Sequence, residues 1–258
     1  MSKGNSPSEI NEAQEGAGHL HPITRVIARA GRIFSEMGFE VASGPEIETE
    51  KYNFDLLNIP PDHPARDMWD TFWLKQSDTN EEKELLRTHT SPVQVRFAES
   101  HTPPFRIIAP GKTFRHEATD ATHEAQFYQL EGLVIDKEIS LSNLKWTLEK
   151  FFKAFFENDI TVRLRPSFFP FVEPGVEVDM TCFKCQGKGC NICKQTGWIE
   201  IMGAGLVHPR VIANFGLNPD VWSGFAFGMG VDRLASLRFG VPDVRMFYDP
   251  DLRIINQF

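Results

Sequence analysis

The sequence predicts an α+β domain, on three features: two stretches with the 3.6-residue apolar period of half-buried helices, a central hairpin of alternating residues, and a glycine-rich strand that runs directly into a helix. The chain has 258 residues, 41% hydrophobic and 24% charged, enough to bury a sizeable core. No apolar run approaches the roughly 20 residues of a membrane span. The polar N-terminus lacks the apolar stretch of a secretory signal, so a cytoplasmic protein is expected. Residues 1–19 read as a flexible tail ahead of one domain over 20–258. The net charge of −8, with basic residues scattered along the chain, is unlike a protein that grips nucleic acid unaided. If RNA is a partner, most of the grip is expected from another chain.

Between Pro22 and Phe39, Ile23, Val26, Ile27, Ala30, Ile33, Phe34 and Met37 form one apolar stripe, and Gly38 ends the helix. Phe39–Ala42 reads as a strand and Pro45–Glu48 as a second extended piece, with Pro45 as punctuation on local grounds. The segment Asn58–Leu74, NIPPDHPARDMWDTFWL, has three prolines that forbid regular structure, yet it carries Arg66, Asp67, Trp69 and Trp73. A long aromatic loop of this kind is more often functional than a spacer. Leu85–Thr88 reads as a strand, and Ser91-Pro92 opens a helix as cap and first-turn proline. Taken alone Ser91 is an N-cap, but His89 and Ser91 also stand at a strand-to-helix corner, where side chains commonly face a cleft.

The centre of the chain, Phe114–Gly132, is FRHEATDATHEAQFYQLEG. Arg115 and Glu117 close the strand-like run FRIIAPGKTF; Asp120, Thr122 and His123 form a polar turn; FYQLEGLVI returns. Period-two alternation places Gln129, Glu131 and Leu133 on one face, which aims the polar pair into a site. An exposed hairpin would also be polar on one face. The density of Arg, Glu, His, Phe and Gln here favours a nucleotide site.

Ser140–Asn158 predicts a helix whose stripe of Leu144, Leu148, Phe151, Phe152, Phe155 and Phe156 is packing, and Ile160–Arg165 predicts a strand. Phe169-Pro170-Phe171 suits either core or the wall of an apolar pocket. All four cysteines follow as Cys182-x2-Cys185-x4-Cys190-x2-Cys193, a spacing that suits tetrahedral zinc with no open position and therefore a structural role. A disulfide pair is the alternative and fits a cytosolic chain poorly. This knuckle is expected as an insertion at 180–200. Gly224–Gly230 reads as a strand whose small residues let a ligand approach the backbone, and Arg233 falls in the first turn of the helix that begins near Val231. Arg115 and Arg233 together can hold different phosphates of one triphosphate.

Pro45 after the first long helix, Phe114-Arg115-His116-Glu117 with its hairpin, and Gly228-Met229-Gly230-Val231-Asp232-Arg233 resemble the three signature motifs of class II aminoacyl-tRNA synthetases. More narrowly, LLRTHTSPVQ, TDATH, FYQLEG, FPFVEPG, GAGLVHP and GFAFGMGVDRL are similar to the catalytic α subunits of bacterial phenylalanyl-tRNA synthetases. The resemblance runs from about Leu20 to Phe258 and implies an antiparallel sheet flanked by helices. It implies catalytic roles for Arg115 on the α-phosphate of ATP, His123 on the phosphates and Arg233 at the γ end. Glu117 is implied at the adenine amino group and Phe127 stacked on the adenine ring. His89, Ser91, Gln129 and Glu131 are implied around the ammonium and carboxylate of L-phenylalanine. Phe169 and Phe171 are implied against its ring, Ala226 at the pocket bottom and Trp69 above it. Glu173 matches a magnesium ligand at the boundary with a partner subunit.

The implied reaction is ATP-dependent activation of L-phenylalanine and transfer to the 3′ end of tRNA(Phe). Its implied partner is a β subunit, in an assembly of two α and two β chains, and its implied metals are Mg2+ with ATP and a structural Zn2+. The resemblance implies an N-terminal coiled-coil arm, and with only about twenty polar residues ahead of the domain the sequence is expected to lack it. The chain departs from the family also in the zinc knuckle, which occurs in only part of the family, and in His116 and Asp232, where other residues are common.

Overall fold

The computed structural model describes residues 19–61, 71–75, 82–116 and 118–258. Helix α1 (Pro22–Glu36) buries Ile23, Val26, Ala30 and Phe34, the predicted stripe. Its cap is His21, whose Nδ1 accepts from the Ile23 N–H at 3.2 Å while Nε2 bonds the Phe247 carbonyl at 2.8 Å. The helix ends at the predicted Gly38: Met37 closes the last turn, and Gly38, at φ +82°, sends Phe39 back onto Phe34. Strand β1 (Glu40–Val41) is shorter than predicted, and β2 (Ile47–Thr49) pairs with β3 (Glu84–Leu86) in a separate two-stranded ribbon. Between them lies α2 (Glu50–Asn53), and α3 (Pro92–Ser100) follows β3.

The remaining strands are β4 (Phe105–Phe114), β5 (Gln126–Asp136), β6 (Val162–Phe169), β7 (Val172–Thr181), β8 (Trp198–Val207) and β9 (Ser223–Gly230). With β1 they form one sheet in the order β1-β4-β5-β9-β8-β7-β6. Every neighbouring pair is antiparallel except β1 with β4. Strand β6 runs past the predicted Arg165 to Phe169; as an edge strand it tolerates Pro166, which has no N–H to give a second neighbour. Helix α4 (Leu141–Phe156) starts at a capping box of Ser140 and Asn143, α5 (Pro209–Asn214) follows β8, and α6 (Val231–Phe239) follows β9.

The sheet divides the core in two. On one face Leu130, Val134, Phe225 and Phe227 pack against α1, α4 and α6. The phenylalanine stripe of α4 is fully inside this layer, as its spacing predicts. Phe34 stacks on Phe151 at 4.5 Å and on Phe227 at 5.5 Å, so one ring joins α1, α4 and the sheet. Gly132 makes room for Phe227, since a Cβ there would lie 2.0 Å from its ring. On the other face Ile107, Leu133, Ala226 and Val207 pack against Phe54, Leu57, Val93 and Ile212 from the helices of the opposite layer.

Phe34→Ala removes the ring shared by three elements and leaves a cavity among rigid neighbours. The expected cost is about 3–5 kcal/mol, read as a lower urea midpoint with an unchanged slope.

Candidate active site

One face of the sheet is nearly bare of side chains along a line across five strands. Opposite Gln129 and Glu131 of β5 lie Gly111 and Ala109 of β4, and Gly230 and Gly228 of β9. Gly228 and Ala226 pair in turn with Gly203 and Gly205 of β8, and Gly205 pairs with Gly175 of β7. Neighbouring side chains fold across this floor. A Cβ on Gly203 would meet the Phe169 ring at 2.7 Å, one on Gly228 would meet Glu131 Oε2 at 3.1 Å, and one on Gly111 would meet Arg87 Nη2 at 2.1 Å. The glycines therefore set the depth of a trough that substituted strands would fill.

At its centre Glu131 is buried and accepts a ring of neutral donors. Ser91 Oγ donates to Oε1 at 2.9 Å, Thr90 Oγ1 donates to Oε2 at 3.2 Å, and Gln94 Nε2 donates to Oε1 as well. The Thr90 N–H donates to Gln129 Oε1 at 3.2 Å. Burial pushes the Glu131 carboxyl up to about 7, and the Ser91, Gln94 and Thr90 donors offset only part of that rise. Ser91 thus spends its hydroxyl on Glu131; it makes no capping bond to α3, so the corner reading prevails over the N-cap reading.

The same corner reaches the end of β4. Arg115 Nε donates to the Thr88 carbonyl at 3.1 Å, and its guanidinium lies 5.1 Å from the Phe127 ring. His89 is buried beside them; burial first, and then the Arg115 charge, push its imidazole down to about 3, so it is neutral at physiological pH. Farther along the floor the half-buried rings of Phe169 and Phe171 stack at 5.9 Å, and Asn58 Nδ2 holds the Pro170 carbonyl between them at 2.6 Å. Of this pair, the Phe169 ring covers Gly203, and Ala226 pairs with Gly205 on the same floor.

Arg233 is exposed in the first turn of α6, directly after Gly230 at the end of the floor. Its neighbour Asp232 fastens that turn to β5: Oδ2 accepts from the Tyr128 N–H at 2.8 Å, and Oδ1 accepts from the Tyr248 hydroxyl. His123 stands apart from this cluster at the tip of the β4–β5 loop, where Asp120 caps the turn by accepting from the Thr122 and His123 N–H groups at 2.6 and 2.9 Å. The Thr122 N–H and hydroxyl, and then His123, hold the Asp120 carboxyl well below the usual carboxylate range. Glu173 is exposed at the start of β7 and pairs with His208 Nε2 at 3.2 Å. Trp69 and Glu117, with Arg66, Asp67 and most of the loop that carries them, lie outside the described residues.

The four cysteines gather where β7 and β8 join, and their sulfurs all lie within 4.8 Å of one another. Three Sγ–Sγ separations are 3.7 Å: Cys182–Cys190, Cys185–Cys193 and Cys190–Cys193. Zn–S bonds of about 2.3 Å in a tetrahedron give an edge of about 3.8 Å, so the donor set fits a closed zinc site. Backbone N–H groups of Gly189, Cys190 and Gly197 donate to these sulfurs at 3.1–3.3 Å, a pattern that suits thiolates. All ten residues of β7 separate the knuckle from the Phe169–Phe171 turn, roughly 30 Å at the strand rise, so the cluster stands well away from the aromatic pair.

Set against known proteins, the chain matches the family described as tRNA synthetases class II core domain (F) over residues 7–258. The phenylalanine–tRNA ligase α subunit of Chlorobium phaeovibrioides is 54% identical over 241 residues, 93% of this chain and 70% of that one. That of Pseudomonas fluorescens (strain SBW25) is 53% identical over 244 residues, 95% of this chain and 70% of that one. The chain belongs to the phenylalanine–tRNA ligase α-subunit family. Pyrrolysyl-tRNA synthetase from Desulfitobacterium hafniense shares the fold, with a TM-score of 0.64 at 18% identity over 87% of this chain and 72% of that one.

Within this class II ligase fold, Thr90, Gln94, Arg87 and Asn53 are site-forming residues that the sequence reading passes over. Gln94 was detectable, since it lies three positions after Ser91 and so on the same helix face. Arg87 and Asn53 are long-range: Arg87 bonds the Gly44, Pro45 and Lys112 carbonyls, and Asn53 bonds Thr88.

The raised pKa of Glu131 has a signed consequence for stability. The folded protein keeps this proton up to about pH 7, whereas the unfolded chain releases it near 4.5. The contribution is therefore full below pH 4.5 and is lost as pH rises through 7, on the order of 3 kcal/mol. Glu131→Gln should abolish this part of the decline, seen by comparing urea unfolding of the two proteins from pH 4.5 to 8.

Proposed function

We propose that the chain is the catalytic α subunit of a phenylalanine–tRNA ligase, working with a β subunit in a two-α, two-β assembly. It activates L-phenylalanine with ATP and passes the aminoacyl group to the 3′ end of tRNA(Phe). The observation that carries this reading is a buried carboxylate and a stacked aromatic pair on one glycine floor. Glu131 and the Phe169 ring are linked by the register Glu131–Gly228–Gly203. An α-amino acid with an aromatic side chain offers a cation to the first and a ring to the second.

In this reading the substrate ammonium lies against Glu131 and Gln129, with Ser91 and neutral His89 beside it, while the ring enters between Phe169, Phe171 and Ala226 under Trp69. The substrate carboxylate oxygen attacks the α-phosphorus of ATP, the bond to the bridging oxygen breaks, and pyrophosphate leaves. A tRNA ribose hydroxyl then attacks the acyl carbon and AMP leaves. Arg115 neutralises charge on the α-phosphate, Arg233 and His123 hold the outer phosphates, and Phe127 and Glu117 take the adenine. No protein nucleophile is needed, because positioning and charge stabilisation suffice for such a transfer.

Mg2+ supplies charge neutralisation on the ATP phosphates when bound. Glu173 offers one carboxylate toward such an ion, a usual number where phosphates complete the shell. The cysteine knuckle holds Zn2+ as a structural clip.

Phenylalanine-dependent ATP–pyrophosphate exchange, measured with the chain alone and with a candidate β subunit, tests this directly. Exchange only with β is the expected result, and exchange by the chain alone would remove the need for a partner in activation. Its absence in both, with a folded, zinc-loaded protein, would overturn the reading.

Tyrosine should be discriminated against, because its hydroxyl meets an apolar pocket end without a partner. Ala226→Gly should lower KM for para-halogenated phenylalanines about tenfold, the worth of roughly a methyl group in a pocket. No gain with those analogues would place the pocket elsewhere.

A further inference from the structure

Asn53 is the last residue of α2 and is wholly buried, and its backbone bonds the His89 ring. Its side-chain amide grips one residue from both sides. Nδ2 donates to Thr88 Oγ1 at 3.0 Å, and Oδ1 accepts from the Thr88 N–H at 3.3 Å. Thr88 is also wholly buried, and its carbonyl is the acceptor for Arg115 Nε at 3.1 Å. Two residues later the Thr90 N–H meets Gln129, and the Thr90 and Ser91 hydroxyls meet Glu131. The segment Thr88–Ser91 therefore faces the phosphate arginine at one end and the ammonium-binding acid at the other. A buried amide bonded in both directions is a stiff anchor, because releasing either bond strands a polar group away from water.

We propose that Asn53 is a positioning residue for adenylate formation: through Thr88 it sets the direction of the Arg115 guanidinium and the place of the Thr90–Ser91 hydroxyls, and so holds ATP and the amino acid in mutual register. The inference rests on the functional reading above and adds to it the element that couples the two halves of the site. It follows from geometry that a guanidinium rotated about its Nε bond sweeps its terminal nitrogens through an ångström or more. Displacements of that size cost reaction rates up to about a hundredfold.

The test uses Asn53→Ala, Thr88→Val, Thr88→Ser and Arg115→Ala in the chain assembled with its β subunit. Thr88→Val keeps the side-chain shape and the carbonyl but removes the Oγ1 acceptor, so it guards against Asn53→Ala failing to fold. In ATP–pyrophosphate exchange, Asn53→Ala and Thr88→Val should each lower kcat at least about tenfold, while Thr88→Ser, which keeps the oxygen, restores most of it. In the Arg115→Ala background, Asn53→Ala should cost much less, since the guanidinium it aims is gone; a merely structural residue would cost the same factor in both backgrounds. A second readout needs no activity: the Arg115 Nε–H resonance of 15N-arginine-labelled protein should exchange slowly with water in the wild type and faster in Asn53→Ala and Thr88→Val. Unchanged exchange of that proton in both variants overturns the inference even if the enzyme activates some other amino acid. A wild type with no exchange activity but a protected Arg115 Nε–H that Asn53→Ala exposes would overturn the functional reading and leave the positioning role standing.

Discussion

Strand β5 carries two incompatible surfaces, and their separation by strand alternation is the constraint on which the structure depends. Leu130 and Val134 face α1, α4 and α6, whereas Gln129, Glu131 and Leu133 face the opposite layer. The strand is hydrogen-bonded along both edges, to β4 and β9, so its register cannot slip by one residue without exchanging acid for leucine in the core. Gly132 lies within that run because the Phe227 ring occupies the space where a side chain would stand. The packed layer beneath the strand thus holds a buried carboxylate at a defined height above the floor.

Burying Glu131 is expensive, and three neutral donors relieve only part of the cost. A full counter-ion would have stabilised the carboxylate further, yet among the hydrogen bonds to Glu131 none comes from Lys or Arg. The acid is left prepared for a positive charge that the protein itself withholds. Arg115 lies on the other side of the corner, bonded to the Thr88 carbonyl, so the two opposite charges are kept apart by a short backbone segment. That segment sets a buried acid at one end of the corner and a guanidinium at the other.

Much of the site was legible because it rests on alternation. Gln129 and Glu131 were placed on one face by period two, whereas the Phe169–Phe171 pair suited core or pocket wall equally and was placed in a site only by the family resemblance. The four cysteines were placed by spacing that a closed tetrahedron requires. Ser91 was ambiguous in sequence because Ser before Pro is also a helix start; the Glu131 contact that decides its role comes from 40 positions away. Arg87 and Asn53 gave no local signal. An arginine beside a strand and an asparagine at a helix end are ordinary on a surface, and only burial against Lys112 and Thr88 makes them parts of the site.

By itself, the sequence determined the α+β class, the amphipathic helices, the central hairpin, the cysteine cluster and the family. The family came from the resemblance of its motifs; the rest follow from periods and spacings within short windows, where side-chain direction is a matter of backbone geometry. The tertiary structure alone decided the strand order, the parallel placement of β1 on β4, and the trough assembled from Gly111, Gly175, Gly203, Gly205, Gly228 and Gly230. Those glycines come from four strands and mean nothing singly. They form a floor only once pairing brings them to one line, and pairing depends on contacts far apart in the chain, which no local window contains.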